Sequence, residues 1–156
     1  MAYRRQSWHE KMARPEKPRV VDVPPKMQKT SGPGQMLIAT PKLVDKLVRK
    51  VPKGKLTTVS HIMERLAHDH FCDSTCPMTT GIFLRIVAEA AEEDAAAGQK
   101  SITPYWRVLK SDGSLNAKYP GGVARQAGYL KSEGHEIDAS RKAPRVKEYE
   151  ERVFKL

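Results

Sequence analysis

Cysteine is scarce in this 156-residue chain, which has only Cys72 and Cys76. Two thiols so close together build no disulfide framework, and the expectation is a reducing, cytoplasmic setting. Long apolar runs are missing too. None approaches the ~20 residues needed to cross a bilayer, so no membrane partner is expected. The opening Met1-Ala2-Tyr3-Arg4-Arg5 lacks the apolar core of a secretory signal. No Lys-Ser/Thr follows Gly121-Gly122, so nucleotide hydrolysis has no phosphate loop to work with, and no cofactor is expected. Acidic side chains are outnumbered. Lys and Arg total 28 against 18 Asp and Glu, a formal charge of +10 with pI ≈ 9.7. Such a chain seeks polyanions, nucleic acid first, because each neutralised phosphate releases counterions. The plainer alternative is a basic protein that is merely soluble.

Hydrophobic residues make up 39% of the chain, enough for one modest core. Residues 1–35 are basic and proline-rich, with eight Lys and Arg against Glu10, Glu16 and Asp22. Pro15, Pro18, Pro24, Pro25 and Pro33 forbid a long helix there. The segment reads as an extended or partly disordered arm, either tracking a phosphate backbone or simply solvated. Trp8 is unusual in such a tail and is expected to pin it to the body. Order is expected from Met36, giving a body over 36–134 and a C-terminal hairpin and helix over 135–156.

Three helices are expected in the body. Pro41 suits a first turn, and Leu43, Leu47 and Val48 recur at helical spacing before Pro52 and Gly54. Thr58 is the expected N-cap of a second helix with Ile62, Met63 and Leu66 as its buried stripe. A third runs from about Thr79 to Ala97, with Gly98 just past its end. Ile82, Phe83, Ile86 and Val87 are expected to face the core, and Glu89, Glu92, Glu93 and Asp94 to form a solvated face rather than an acid–base site. Two helices joined this way are consistent with a helix-turn-helix. An extended segment over 102–109, a Ser111-Asp112-Gly113 turn, a short helix from Val123 to Ser132 ending at Gly134, a hairpin over 135–149 and a terminal helix over 148–154 complete the reading.

His68, His70, Cys72 and Cys76 have the right chemistry for zinc. Their spacing fits no standard zinc module, and a polar loop with Cys76 packed in the core is the alternative.

The run Pro104-Tyr105-Trp106-Arg107-Val108, then Ser111-Asp112-Gly113, Tyr119-Pro120-Gly121-Gly122 and Leu130-Lys131-Ser132-Glu133-Gly134, resembles the DNA-binding domain of the O6-alkylguanine-DNA alkyltransferases. Val51-Pro52-Lys53-Gly54-Lys55-Leu56-Thr57-Thr58 resembles that family's entry to its first DNA-domain helix. The likeness spans about Val51 to Gly134. It implies a mainly α fold with small β elements, a winged-helix-like helix-turn-helix. In that family a Pro-Cys-His-Arg-Val motif carries the thiolate that accepts the alkyl group. Tyr105 stands at the cysteine's place here and Trp106 at the histidine's, so the pair for covalent catalysis is absent. Glu133 matches the family's acidic partner. Val59 stands where the family has a phosphate-rotating tyrosine, and Gly81 where it inserts an arginine into the base stack, with Arg85 one turn later. The family extrudes its target nucleotide, since the damaged atom is unreachable inside the stack.

The resemblance is nearest to the cysteine-lacking alkyltransferase-like proteins, which bind alkylated DNA without repairing it. It implies a non-enzymatic, cytoplasmic, monomeric binder of double-stranded DNA that flags lesions for other repair proteins. Thr79, Thr80, Gly81 and Arg85 would present the recognition helix. Tyr119, Gly121 and Gly122 would form the wing, and Arg107, Lys110, Lys118 and Arg125 would meet phosphates. Tyr105, Trp106 and Glu133 would line a lesion pocket, open to an extruded base or closed by its own rings. The alternatives are a winged-helix regulatory module that reads no lesion, or a zinc-binding protein.

Overall fold

The computed structural model describes residues 5–156, and the reading of the first four residues lies outside that range. Ser7 starts the first helix, α1 (Trp8–Met12), by accepting from the Glu10 amide. Strand β1 (Arg19–Asp22) follows, then a 3₁₀ turn at Pro25–Met27 and the one-turn α2 (Gln28–Ser31). β1 pairs antiparallel with β2 (Gln35–Ile38), Val21 opposite Met36. The stretch expected to be an extended or partly disordered arm thus carries two short helices and a strand, the strand joined to β2.

Thr40 caps α3 (Pro41–Val48) through the Leu43 amide at 3.2 Å, with Pro41 at the first position, as its sequence implies. β3 (Thr57–Thr58) leads into α4 (Val59–Asp69), and Thr58 is its cap, accepting from the His61 amide. β4 (Ser74–Thr75) pairs parallel with β2. α5 (Pro77–Ala96) then runs for 20 residues. It starts two residues before the expected Thr79, because Pro77 is pre-set for a first turn. It stops where expected, with Gly98 at φ +86.

A 3₁₀ turn at Tyr105–Arg107 delivers β5 (Val108–Leu109), which pairs parallel with β3. α6 (Gly122–Ser132) follows, and β6 (Ile137–Asp138) and β7 (Arg145–Val146) form the expected C-terminal hairpin. The terminal helix is a correction: only a 3₁₀ turn forms, at Tyr149–Arg152. Leu56 takes these backbone groups instead. Its N–H donates to Arg152 O at 2.9 Å and its carbonyl accepts from the Phe154 N–H at 2.8 Å.

The core lies between α3, α4, α5 and the β3–β5 pair. Val44, Val48, Leu56, Ile62, Leu66, Leu84, Val87, Tyr105, Leu109 and Leu130 are buried there. Ile82 is the exception to the expected stripe. The buried face of α5 runs Thr80, Leu84, Val87, Ala88 and Ala91. Ile82 is two residues from Leu84, about 200° around the helix, and faces solvent. Among the described residues no helix is long and apolar enough to cross a membrane.

Candidate nucleic-acid interface and the filled pocket

Tyr105 and Trp106 sit on the 3₁₀ turn that enters β5, under α5 and α6. Tyr105 is fully buried and Trp106 is 7% exposed. Trp106 stacks on Tyr129 with centroids 4.0 Å apart and planes 12° from parallel. Tyr105 meets Trp106, Tyr119 and Tyr129 edge-on at 5.5, 5.2 and 6.1 Å. Four rings therefore occupy the space around the nucleophile position.

One carboxylate ties this cluster to α5. Glu92 accepts from Tyr105 Oη at 2.7 Å and Tyr129 Oη at 3.0 Å, and Arg125 approaches it at 3.5 Å. Burial, then donation to Glu92, pushes the Tyr105 phenol well above its ordinary value. Tyr129 is raised for the same two reasons. A phenol held neutral this firmly is no nucleophile. Neither cysteine replaces it. Cys76 is buried at the start of α5, and burial and Asp73 push the Cys72 thiol up.

Arg107 and Glu133 are a correction to the reading of Arg107 as a phosphate contact. Arg107 Nε and Nη2 donate to Glu133 at 2.9 and 2.7 Å, and Nη1 donates to Val51 O at 2.6 Å. The two side chains are 13% and 6% exposed. Five donors in a fixed fork suit this bidentate grip, which leaves little for DNA. Burial alone would raise Glu133, but the hydrogen bonds from Arg107 and the charge of its guanidinium hold its carboxyl below the ordinary value. Among the described residues, the Trp106 N–H makes no hydrogen bond of ordinary geometry.

Two other expected contacts are buried. Tyr119 is 3% exposed and donates its hydroxyl to Val108 O at 3.1 Å. Thr80 is covered and donates to Cys76 O at 2.7 Å. The residues that do face outward are Gly81, Arg85, Lys110, Lys118, Gly121 and Arg125, with Thr79 and Gly122 half-buried. Gly121 and Gly122 have φ of +75 and +66, so this turn into α6 needs residues without a Cβ. A Cβ on Gly121 would also strike Arg125, 2.5 Å away.

The acidic half of α5 is not the solvated face expected from its composition. Besides Glu92, Glu93 accepts from the Trp8 and His9 amides at 3.3 and 3.0 Å, and Asp94 pairs with His9 at 2.7 Å. The Trp8 ring lies under Lys11 and beside Arg85, so it does pin α1 to the body. Gln126, which the sequence did not single out, is fully buried. It donates to Trp106 O at 3.1 Å and accepts from the Asn116 amide at 2.8 Å. No local signal marks it, because both partners lie far along the chain.

Beside Trp106 and Arg107 opens a cleft of about 360 Å³, bordered by Arg49, Lys100, Ile102 and Pro104. The His/Cys stretch is not a cluster. His70 Nδ1 meets Leu66 O and Cys72 Sγ points to His70 O. Among the described residues no three His, Cys, Asp or Glu side chains gather as metal ligands.

Residues 40–135 match the family described as "6-O-methylguanine DNA methyltransferase, DNA binding domain". No curated protein matches the chain in sequence. In fold it is similar to the crystal structure of S. pombe Atl1 in complex with damaged DNA containing O6-carboxymethylguanine, and to that of S. pombe ATL in complex with DNA. Each gives a TM-score of 0.55 at 20% identity, over 74% of this chain and 94% of the other.

Proposed function

The chain belongs to the family of the 6-O-methylguanine DNA methyltransferase DNA-binding domain, and on that footing we propose that it binds double-stranded DNA and senses alkylated bases without transferring the alkyl group. The observation that carries this reading is Tyr105. It holds the nucleophile's place, buried and donating to Glu92, where the family's alkyl-accepting chemistry needs an ionisable sulfur. The net charge of +10 supports a nucleic-acid partner. The fold neighbour Atl1, itself held on damaged DNA, supports a lesion-bearing duplex.

In this reading α5 is the recognition helix, with Thr79, Gly81 and Arg85 at its outer face, and the Gly121-Gly122 turn is the wing. Lys110, Lys118 and Arg125 meet phosphates. The cleft beside Trp106 receives the extruded base, with Arg49 and Lys100 at its rim. Residues 1–35 act as a basic arm on a body of 36–134, with 135–156 as an extension. The protein works as a monomer in the cytoplasm and marks lesions for other repair proteins.

Competition between a plain duplex and one carrying O6-methylguanine tests the reading. Tighter binding to the modified duplex, with no radiolabelled methyl appearing on the chain, is expected. Label on the polypeptide overturns the non-enzymatic half, and equal affinities leave a duplex binder that reads no lesion.

A further inference from the structure

The C-terminal extension borders a cavity of about 640 Å³, apart from the residues assigned to duplex DNA. It lies between the β6–β7 hairpin and the 3₁₀ turn at Tyr149–Arg152, and every residue around it falls between Gly134 and Arg152. Both walls are tied to the body. The Val146 N–H donates to Gly113 O at 3.1 Å, the Leu115 N–H donates to Pro144 O at 2.9 Å, and Arg152 O accepts from the Leu56 N–H at 2.9 Å. Tyr149 packs on Gly113 so closely that an added Cβ there would strike its ring. The Arg145 guanidinium lies 6.0 Å from the centre of the same ring. The cavity is therefore shaped before any ligand arrives, and its volume falls in the range of about 300–1,000 Å³ usual for small-molecule sites.

Its polar groups are only partly used. Asp138 accepts from the Ser140 amide and hydroxyl at 2.9 and 2.6 Å, and Glu136 pairs with Lys147 at 3.6 Å. Among the described residues the exposed side chains of Arg141, Arg152, Glu148 and Glu150 make no hydrogen bond or ion pair. Glu148 is held at φ +53, a backbone setting that a residue with a Cβ adopts only against a steric cost. His135 borders the cavity at 5% exposure, and its buried Nε2 has no hydrogen-bond partner among the described residues. Burial, then the Arg152 charge, holds this imidazole below its ordinary value, so it is neutral at pH 7 and each ring nitrogen can donate or accept according to the tautomer. A buried nitrogen without a partner costs free energy until something reaches it.

The mixture of charges selects the ligand. A bare anion would meet Glu148 and Glu150 unfavourably, and a bare cation would meet the arginines. A nucleotide satisfies both, with a phosphate for guanidinium forks and hydroxyl or amino hydrogens for carboxylates. We propose that this cavity binds a nucleoside monophosphate unit, with its phosphate on Arg141 and Arg152, its hydroxyl or amino groups donating to Glu148 and Glu150, and His135 Nε2 bonded to it. A free mononucleotide and the 5′-phosphorylated end of a strand both offer that unit. The site needs neither α5 nor a lesion.

The test is isothermal titration of the full-length chain with AMP, adenosine and inorganic phosphate in turn. AMP is expected to bind saturably, and at least about tenfold more tightly than either of the others. Arg141→Ala/Arg152→Ala, at exposed unpaired positions, should melt like the parent and bind AMP about tenfold more weakly or worse. Glu148→Gln should weaken AMP binding, whereas a simple anion site would gain affinity from losing that charge. A 5′-phosphorylated trinucleotide that displaces AMP assigns the unit to a strand end, and one that fails to displace it assigns a free nucleotide. No saturable AMP binding, or binding undiminished in the arginine variant, overturns the proposal. Phosphate binding as tight as AMP's, or a gain in Glu148→Gln, overturns the nucleotide. No arm contains a duplex, so failure of duplex binding leaves this result standing.

Discussion

The surroundings of Tyr105 and the start of α5 are opposites. Around Tyr105 the carboxylates, the guanidinium and the amide side chain are all engaged. Glu92 serves two phenols, Arg107 is locked to Glu133 and Val51, and Gln126 bridges Trp106 to Asn116. At the start of α5, Met78, Ile82 and Arg85 face outward. The same helix takes part in both, since Glu92 lies about four turns beyond Pro77. The comparison teaches that the place of the family's chemistry holds a tightly bonded cluster, while exposed apolar and cationic side chains stand at the other end of the same helix. Mutations in the first region should therefore change stability, and mutations in the second should change binding.

The largest effect is expected from Glu133→Ala. It strands a buried guanidinium and should destabilise the fold by about 3–5 kcal/mol in urea unfolding. A loss of DNA affinity with unchanged stability would break the comparison. The pair also sets an acid limit. Because folding holds the Glu133 carboxyl below its ordinary value of 4.5, its stabilisation is complete above that value and is lost as pH falls through the folded value. Parent stability should decline below about pH 4.5, with a shallower decline in Glu133→Gln.

Glu92→Ala comes next, because it leaves the buried Tyr105 hydroxyl without an acceptor. About 2–3 kcal/mol should be lost, read as a fall of roughly 4–12 °C in Tm, with duplex affinity intact once the protein is folded.

At alkaline pH the sign reverses. Folding raises Tyr105, Tyr119 and Tyr129 above the ordinary 10.0, so their contribution is complete below that value and is lost as pH rises past it. Absorbance at 295 nm should show three of the five tyrosines ionising only as the chain unfolds. Free titration of all five near pH 10 would show that the cluster is loose.

The smallest stability effect is expected on the open side. Arg85→Ala and Lys118→Ala should each stay within about 0.5 kcal/mol of the parent. Each should weaken duplex binding and lower the salt slope by about 0.9 in a gel-shift series at rising ionic strength. No change in affinity or slope for either would remove these cations from the interface.

How far the sequence could be read follows the same divide between local and distant partners. Pro41, Thr58, Gly98 and Gly134 signal helix ends through neighbours a few residues away, and those ends lie where expected. The hairpin over 135–149 was legible for the same reason. What could not be read has partners far along the chain. Arg107 meets Val51 and Glu133, Tyr119 meets Val108, and Glu93 caps α1, across 56, 26, 11 and 84–85 residues respectively. Charge alone made Arg107 look like a phosphate contact and Glu93 like a solvated acid. Ile82 departs from the expected stripe for a different reason. A helix rich in apolar residues offers more than one stripe, and only packing selects which is buried.

The hydroxyl of Tyr105, locked onto Glu92, also bears on how the protein is used up. A suicide acceptor is spent by one encounter, because its sulfur keeps the group it removes. This chain offers no such sulfur at that place, so under the proposed reading each encounter would leave it chemically unaltered and the same copy could visit many sites in turn. Its influence on a strand is then set by residence time rather than by the number of molecules available.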